Sequence, residues 1–570
     1  MIDKRALLAI ILTFLVIFGW GIIQTKLFPP VKPPQEEKKG EVVPQPKKEM
    51  KASKEEKPLP KPKVIPKKEI VIETRNFTAT LTNADARLKH FKLKHYRDRI
   101  EESPITLQLT KFVKGLFGGK VQEPEKPKPL DLVNTSEEEG LPLGLIVQPT
   151  IDPFGWEVDK DGIQLLKPGE KGEVTFTQEL GNGLKLLKKF IFSSEGDHID
   201  IKIEVQNQTK NEMMAQLGIE WIGKVELEKF ADHENKDYGL KYLFMKDQRI
   251  EKKDLGGTGS GGCTPGCGAP KRSLEPFEVA DQGQIRWFAF AGEYFTALIV
   301  PTPSENNIQL NIKGGEKNIL KAQLTSPPFS IQSQGTVSRS FRLYLGPKLT
   351  DPLKELGVGA EGLVDFGFFT VIAKPLLWFL KLTHQVTKNF GIDIIILSIL
   401  LKILFLPLTQ ISMKSMREMQ KVQPEMNRLR EQYKNDKARL QHEIMLLYKR
   451  RRINPMSGCL PMLIQIPVFI ALYNALHNSI ELRHAAFILW IRDLSAKDPI
   501  YITPILMGAT MVIQQKMTPT AADPAQARLF MLMPIMFTFL FLNFPSGLVL
   551  YWMVTNILSI AHQYIVNRKW

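Results

Sequence analysis

The stretch FGIDIIILSILLKILFLPL runs from Phe390 to Leu408 and reads as an apolar segment interrupted by Ser398 and Lys402. At about 1.5 Å per residue, a helix over its nineteen positions is about 28 Å long. That length is close to the thickness of the hydrocarbon core of a bilayer. The stretch therefore predicts a membrane-spanning helix that carries a charge.

The polar residues of this helix fall on one face, since Ser398, Lys402 and Thr409 are spaced at whole helical turns. A charge at the middle of a bilayer costs at least about 2.5 kcal/mol, so this face is expected to meet protein or water. Alternatively, Lys402 is close enough to Leu408 to extend its amine to the lipid headgroups. The helix alone leaves both interpretations open.

Apolar segments divide the 570 residues into an amino-terminal anchor, a long polar region and a membrane-embedded final third. Besides Phe390–Leu408, we predict spans at Gly458–Ile480, Pro499–Gln515, Leu529–Phe544 and Ser546–Val566. The second and third of these four spans are short, so the bilayer beside them is expected to be thinned.

The net charge of +16 resides mainly in a linker and in loops beside the spans, where Lys and Arg set topology. We therefore predict no sequence-specific nucleic-acid binding. Three cysteines exclude both a disulfide framework and a zinc site made of four cysteines.

Lys4 and Arg5 precede eighteen apolar residues, 6–23, which is too long a run for a typical signal peptide. We predict an uncleaved anchor over residues 1–28 with a cytoplasmic amino terminus; cleavage is the alternative. Residues 29–69 contain ten Pro, twelve Lys and seven Glu, a composition that cannot form a packed core. This segment is predicted to be a tether.

Residues 70–347 follow a period of two, most clearly in HIDIKIEV from His198 to Val205. We predict an antiparallel β-sandwich of two sheets, on the periplasmic side of the membrane. It contains no catalytic or ligand-binding constellation that we recognise. Cys263 and Cys267 are expected to close a small disulfide loop, although metal binding with outside ligands is an alternative.

Residues 361–388 combine aromatic residues with lysines, which is typical of an amphipathic helix in the membrane interface. An ordinary core helix is the alternative. Between Ile411 and Arg452 there are twelve Lys or Arg and five Asp or Glu, so this segment is predicted to be cytoplasmic. Its pattern is that of a helical hairpin, residues 411–452, with a break at 434–436. Its methionines suit either hairpin packing or an adaptable surface for apolar chains.

A second polar face follows the last span through Tyr551, Thr555, Ser559 and His562, and Gln465 adds an amide from the Gly458–Ile480 span. Hydrogen bonds between helices explain any one of these residues. Two polar faces and a lysine together indicate the lining of a wet cavity.

Several stretches, taken in order, resemble the YidC membrane protein insertases in their Gram-negative form. They are LYLGPK at Leu343, KPLLWFLKLTH at Lys374, LPLT at Leu406, QPEM at Gln423, INPMSGCLPMLIQIPVFIALY at Ile453, LRHAAFILWIRDLSAKDP at Leu482, YITPILMGATMVIQQKM at Tyr501 and FPSGLVLYWMVTN at Phe544. The outer domain resembles this family mainly in position and strand pattern. The resemblance implies a β-sandwich related to sugar mutarotases, without their activity.

The resemblance implies a substrate groove, with Lys402 at the position of the family's arginine, Ser398 beside it, and Gln465, Trp552 and Thr555 as further groove residues. It implies an insertase rather than an enzyme, with no cofactor. Lys keeps the charge but loses the bidentate fork of Arg. The partners expected are nascent membrane proteins, the ribosome, the Sec translocon and the lipid bilayer, and the protein is expected to be a monomer.

We therefore expect a multi-domain protein of the inner membrane. It has a periplasmic antiparallel β-sandwich, and an α-helical transmembrane bundle that consists of the anchor and a five-helix core over residues 389–570. Both termini are expected in the cytoplasm. The main alternative function is a secondary transporter that uses Lys402, although the spans show no repeated halves. An anchored outer-domain enzyme is a third alternative, but it lacks a catalytic constellation.

Overall fold

A computed structural model describes residues 65–569, apart from 102–103, 117–125, 149–154, 181, 227–240, 256–273, 304–305, 452–459 and 518–523. The predicted anchor, most of the predicted tether and all three cysteines lie outside the described residues.

Twenty strands are described between residues 69 and 347. They are β1 Glu69–Thr74, β2 Phe77–Thr82, β3 Arg87–Arg97, β4 Pro129–Asp131, β5 Gly144–Gln148, β6 Glu157–Val158, β7 Gly162–Leu165, β8 Lys171–Glu179, β9 Leu184–Ser193, β10 His198–Asn207, β11 Met213–Lys224, β12 Lys241–Lys246, β13 Arg249–Asp254, β14 Phe277–Gly283, β15 Ile285–Ala291, β16 Phe295–Thr302, β17 Ile308–Gly314, β18 Ile319–Thr325, β19 Phe329–Ile331 and β20 Thr336–Pro347.

The strands form three sheets where the sequence predicts two. Their orders are β4-β3-β2-β1-β7, β13-β12-β15-β16-β20-β10-β9-β8-β6 and β14-β17-β18-β11-β19, and β5 also pairs with β11. Pairing is antiparallel throughout, as predicted, except between β1 and β7. Parallel pairing needs a long crossover, and the chain between β1 and β7 provides it.

Alternation along β10 shows why these residues form a sheet. Ile199, Ile201, Ile203 and Val205 are at most 1% exposed, whereas the intervening side chains lie on the outer face. Buried residues from each of the three sheets contribute to one large hydrophobic cluster, while part of the nine-stranded sheet, including Trp287 and Leu298, packs in a separate cluster. Burial of one face at a period of two thus confirms the strand prediction made from HIDIKIEV.

Eleven α-helices are described. They are α1 Pro104–Leu116, α2 Thr350–Glu355, α3 Thr370–Thr387, α4 Phe390–Leu404, α5 Leu406–Lys421, α6 Gln423–Gln432, α7 Lys437–Arg450, α8 Leu460–Asn478, α9 Ile502–Met517, α10 Pro524–Phe541 and α11 Ser546–Lys569. Helix α1 was not predicted. Helix α3 begins nine residues after the predicted start of the interfacial helix at residue 361.

Helix α4 is shorter than the predicted span from Phe390 to Leu408. It ends at Leu404, and α5 begins at Leu406 with a bend of 59° between them. Pro407 lies in the first turn of α5, where its missing N–H leaves no intrahelical bond unmade. The bend leaves Lys402 in the last turn of α4, closer to a helix end than the sequence suggested.

Helices α5, α6 and α7 form the predicted hairpin. The reversal falls between Gln432 and Lys437, and the Asp436 carboxylate caps α7 by accepting from the Arg439 amide at 3.0 Å. Met426 is 1% exposed and packs with Val422 and Leu447, while Met419 contacts the same cluster. Hairpin packing therefore accounts for these two methionines.

The β-sheet domain and the helices are joined through the segment after α8. Ile480, which follows α8, is 5% exposed and packs within the core of the β-sheet domain. Arg483 donates to the backbone carbonyl of Arg97 at 2.8 Å and lies over the Phe295 ring. These contacts connect two regions that the sequence analysis assigns to separate domains.

By length and composition, one described helical segment, Ser546–Val566, could cross a membrane alone, and the bent pair α4–α5 would be a second if it counts as one span. The other helices of the carboxyl-terminal region are shorter or less apolar over the residues described.

Candidate functional site

The site forms where α4 crosses α11. The Asn389 side chain caps α4 by accepting from the amides of Gly391 at 2.9 Å and Ile392 at 3.2 Å, which sets where the helix starts. One face of α4 is buried in the helical core, whereas Ile399, Leu400, Ile403 and Leu404 are 40–66% exposed. Lys402 lies at the edge between these two faces.

The Lys402 amine is held by a neutral group. Its Nζ donates to the Ser559 hydroxyl of α11 at 2.7 Å, and Ser559 in turn donates to the Thr555 carbonyl at 2.7 Å. No carboxylate within the described ranges forms an ion pair with Lys402. The structure thus joins the two polar faces that the sequence predicted separately, through a charge that has no counter-ion there.

The other predicted groove residues occupy different surroundings. Ser398 is 1% exposed and donates to the Ile394 carbonyl of its own helix at 2.7 Å. Thr555 donates to the Tyr551 carbonyl at 2.8 Å, and Gln465 reaches the Tyr551 hydroxyl from α8. The contact between Gln465 and Tyr551 ties α8 to α11, whereas the Thr555 bond lies within α11.

Trp552 lies in an aromatic cluster rather than beside Lys402. Its ring is 4.9 Å from that of Phe469, 5.2 Å from Phe541 and 6.0 Å from Phe537. Such packing joins α8, α10 and α11. The structure therefore places Lys402 and Ser559 together, with Thr555 one turn away. Trp552 instead packs where α11 meets α8 and α10.

Other polar residues of α11 serve helix packing, as the simpler interpretation expected. Asn556 donates to the Thr510 hydroxyl of α9 at 3.3 Å, and Gln563 donates to the Met517 carbonyl at 2.7 Å. Both residues are buried. Hydrogen bonds between helices thus explain one face of α11, while the face with Ser559 meets Lys402.

The sequence interpretation missed a buried carboxylate in the opening stretch. Asp393 is 0% exposed and accepts from the Thr387 hydroxyl at 2.6 Å and from His384 Nδ1 at 2.9 Å. The His384 ring also stacks on Phe390 at 3.7 Å. These contacts fix the end of α3 to the start of α4, and an acid inside an apolar run was the signal that could have revealed them.

The segment between α8 and α9 is held against the first turn of α11. Asp498, 1% exposed, accepts from the amides of Ile500 at 3.0 Å and Thr503 at 2.7 Å and from the Trp490 indole at 3.3 Å. The amide of Ser546 donates to the Ala496 carbonyl at 2.7 Å, and its hydroxyl donates to the Asp493 carbonyl at 2.7 Å. Backbone and side-chain hydrogen bonds therefore fix this segment to the first turn of α11.

Burial raises the pKa of Asp493, and its bonds with the hydroxyl and amide of Ser495 oppose that effect. Within the described part of the chain there is no group of three or more His, Cys, Asp or Glu side chains that could hold a metal ion.

Two family profiles cover most of the chain. The profile described as "60Kd inner membrane protein" matches residues 382–570, and the profile described as "YidC periplasmic domain" matches residues 120–379. Together they define an inner membrane protein with a periplasmic domain.

Relatives match this chain over its full length. The membrane protein insertases YidC of Syntrophus aciditrophicus and Geotalea daltonii are 39% identical over 587 residues and 37% identical over 576 residues. Each alignment covers 100% of this chain, and 100% and 99% of the respective relative. The chain belongs to the YidC family of membrane protein insertases. It is accordingly an insertase and not an enzyme, and it binds nascent membrane proteins as substrates.

A solved structure, titled an active YidC insertase crystal structure with the first transmembrane domain resolved, is 17% identical and covers 87% of this chain and 92% of its own, at a TM-score of 0.35. A likeness at that TM-score does not by itself establish a shared arrangement. The sequence identity of 39% and 37% to these two insertases, over the full length, favours an insertase over a secondary transporter.

Proposed function

We propose that residues 389–570 form a five-span core whose groove opens to the cytoplasm and to lipid, and is closed towards the periplasm. Residues 1–28 anchor the chain, 29–69 are a tether, 70–347 are the periplasmic domain and 361–388 include the interfacial helix. Both termini and the 411–452 hairpin then lie in the cytoplasm. The exposed apolar side chains on α4 and on α3, among them Val371 and Trp378, suit contact with lipid.

One observation carries the mechanism: the Lys402 amine is half-buried and bonded only to a neutral hydroxyl among the described residues. A positive charge between helices attracts acidic residues more strongly than one in water, because the local dielectric is lower. Lys402 thus draws the short acidic outer segment of a client into the groove. A polar pocket part-way across lowers the cost of removing that segment from water.

The proposed groove also includes Ser398, Gln465, Trp552 and Thr555. Thr555 supplies the carbonyl that orients Ser559 beneath the lysine. Gln465 and Trp552 form the wall between α8 and α11, and Ser398 lies one turn before Lys402 on α4. Lys402 binds a carboxylate as a point charge and not as a bidentate fork, so its recognition of acidic clients depends on charge more than on geometry.

Short helices reduce the distance that a client crosses. At about 1.5 Å per residue, the 15 residues of α4 span about 22 Å and the 16 residues of α9 about 24 Å. Both are shorter than a hydrocarbon core of about 30 Å, so the bilayer thins beside them. Apolar client segments then move sideways into lipid, a transfer worth about 25 cal/mol per Å² that requires no nucleotide.

We further propose that the basic hairpin and short cytoplasmic loops contact the ribosome, that the protein works with the Sec translocon, and that it acts as a monomer. Exposed Lys and Arg residues on the hairpin, such as Lys414, Arg428 and Arg439, support a polyanionic partner.

The test replaces Lys402 with Ala, Glu and Arg and measures insertion of a small client with an acidic outer segment. Ala should reduce insertion, Glu should reduce it further by repulsion, and Arg should retain it. Ile403→Ala, at an exposed neighbouring position, is the control. Insertion by Lys402→Glu at the wild-type level would show that charge attraction is the wrong mechanism.

A further inference from the structure

A second titratable side chain lies beside the Lys402–Ser559 pair. His562 follows Ser559 by three residues on α11, which puts the two side chains on the same face one turn apart. Both ring nitrogens of His562 are shielded from solvent, and neither has a hydrogen-bond partner in the described part of the chain. Other polar side chains of this helix, such as Asn556 and Gln563, have partners.

The surroundings of His562 favour an anion. Lys402 lies close enough to the His562 ring to act on it electrostatically. Lys402 itself uses one of its three N–H donors on Ser559 and has no carboxylate partner there. Among the described residues, no negative group therefore balances these two neighbouring donors from α4 and α11.

An imidazole always carries at least one N–H, whichever tautomer is present. Leaving such a group buried without a partner is costly, so His562 gains from any acceptor that enters the groove. A carboxylate is the side-chain group that fits best, since it offers two oxygens and a negative charge. One oxygen can accept from the Lys402 ammonium and the other from the imidazole.

We propose that His562 is a second client-binding residue of the groove, which holds the carboxylate of a client segment beside Lys402. This role rests on the proposed function of Lys402 and adds to it. Lys402 supplies charge without direction, whereas the N–H of His562 comes from a different helix and fixes the orientation of the carboxylate. The groove thereby distinguishes an acidic side chain from its amide.

The test uses the full chain in proteoliposomes and two clients that differ only by Asp or Asn at one position of the outer segment. His562→Ala should lower insertion of the Asp client about tenfold to a hundredfold, the size of one hydrogen bond to a charged group, and leave the Asn client unchanged. His562→Gln keeps an N–H donor and should retain most of the Asp preference. Ile557→Ala, at an exposed position across the helix, is the control.

Three outcomes overturn the role of His562. The first is an equal loss for both clients with His562→Ala, which would indicate a role in packing alone. The second is no loss of insertion for either client with His562→Ala. The third is the same loss with His562→Gln as with His562→Ala. Lys402→Met separates this inference from the proposed function. If Lys402→Met lowers Asp-client insertion and His562→Ala does not, only the His562 role fails. If Lys402→Met has no effect on that client, the proposed function fails.

Proximity provides an independent measurement. In full chains with Cys263, Cys267 and Cys459 replaced by Ser, His562→Cys should form a disulfide with a client cysteine at the Asp position, and Ile557→Cys should not. Equal cross-linking from both positions would contradict a specific contact. The amount of each variant in the membrane and its melting temperature identify variants that fail to fold.

Discussion

At the residue scale, Lys402 satisfies two requirements through its position in the last turn of α4. It is close enough to a helix end to be reached from water, yet its amine is held between two helices by Ser559. The two interpretations left open by the sequence are therefore compatible. A lysine that extends along the groove we propose would reach water and remain available to a client.

His484 provides a pH-dependent prediction outside the membrane-spanning helices. Burial, reinforced by the neighbouring Arg483 guanidinium, lowers the pKa of His484 to about 3. Arg483 donates to His484 Nδ1 at 3.4 Å, a contact that suits a neutral ring. Because the unfolded chain has an ordinary pKa of about 6.5, it binds a proton that the folded protein excludes as the pH falls from 6.5 towards 3.

Stability should therefore decrease below pH 6.5, and by pH 5 this one group should cost about 2 kcal/mol relative to neutral pH. Thermal unfolding of the detergent-solubilised protein at pH 7.5 and 5 measures the loss. His484→Asn should reduce the dependence, since Asn tolerates the positive φ of 59° and does not titrate. An unchanged pH dependence in His484→Asn would show that another group is responsible.

Asp393 and Ser559 illustrate what the sequence reveals about single residues. Ser559 was predicted on the correct face of its helix, because a period of 3.6 determines that face. Its partner Lys402, 157 residues away, depends on how α4 and α11 cross, which no local pattern encodes. Asp393 was overlooked because its partners His384 and Thr387 lie on the preceding helix.

At the scale of elements, the close approach of α9 and α10 depends on Gly508. A Cβ at Gly508 would lie 2.0 Å from the Thr538 hydroxyl oxygen, and Thr538 is held by its bond to the Pro534 carbonyl at 2.7 Å. Small residues allow membrane helices to pack this closely. The two helices therefore have little room for an added methyl group.

Gly508→Ala should destabilise the protein by about 1–3 kcal/mol through overpacking, measured by thermal unfolding. Thr538→Ala, combined with Gly508→Ala, should restore most of the loss because it removes the atoms that clash. Ala509→Val adds volume at the exposed neighbouring position and should have little effect. Failure of the double variant to recover would place the strain elsewhere.

Elements were predicted well where one face is buried and poorly where the chain changes direction. The alternation along β10 follows directly from burial of one face, and the break of the hairpin near Asp436 follows from its polar residues. Division into three sheets could not be predicted, because pairing partners such as β1 and β7 are distant in sequence. The bend before α5 was missed although Pro407 marks it.

At the scale of the whole molecule, Ile480 is one of the side chains that link the β-sheet domain to the helical region. Ile480→Ala should remove apolar contact from the core of the β-sheet domain, at a cost of about 2–5 kcal/mol. Limited proteolysis should then release that domain from the helical region faster than in the wild-type protein.

Ile488→Ala is the matched control, since Ile488 belongs to the same segment and is 57% exposed. It should leave the rate of release unchanged. Equal rates for Ile480→Ala and the wild-type protein would mean that Arg483 and its contacts with Arg97 and Phe295 hold the two regions together without Ile480.

The location of Ile480 also has a consequence for the order of synthesis. Ribosomes make β1 to β20 first, but the core of those sheets includes a side chain that follows α8, which is made long afterwards. The exported domain thus completes its interior only when the polypeptide through residue 480 has emerged and reached the outer side. Its final compaction therefore depends on delivery of the chain through α8, so folding of the exported domain is coupled to assembly of the first helices of the helical region.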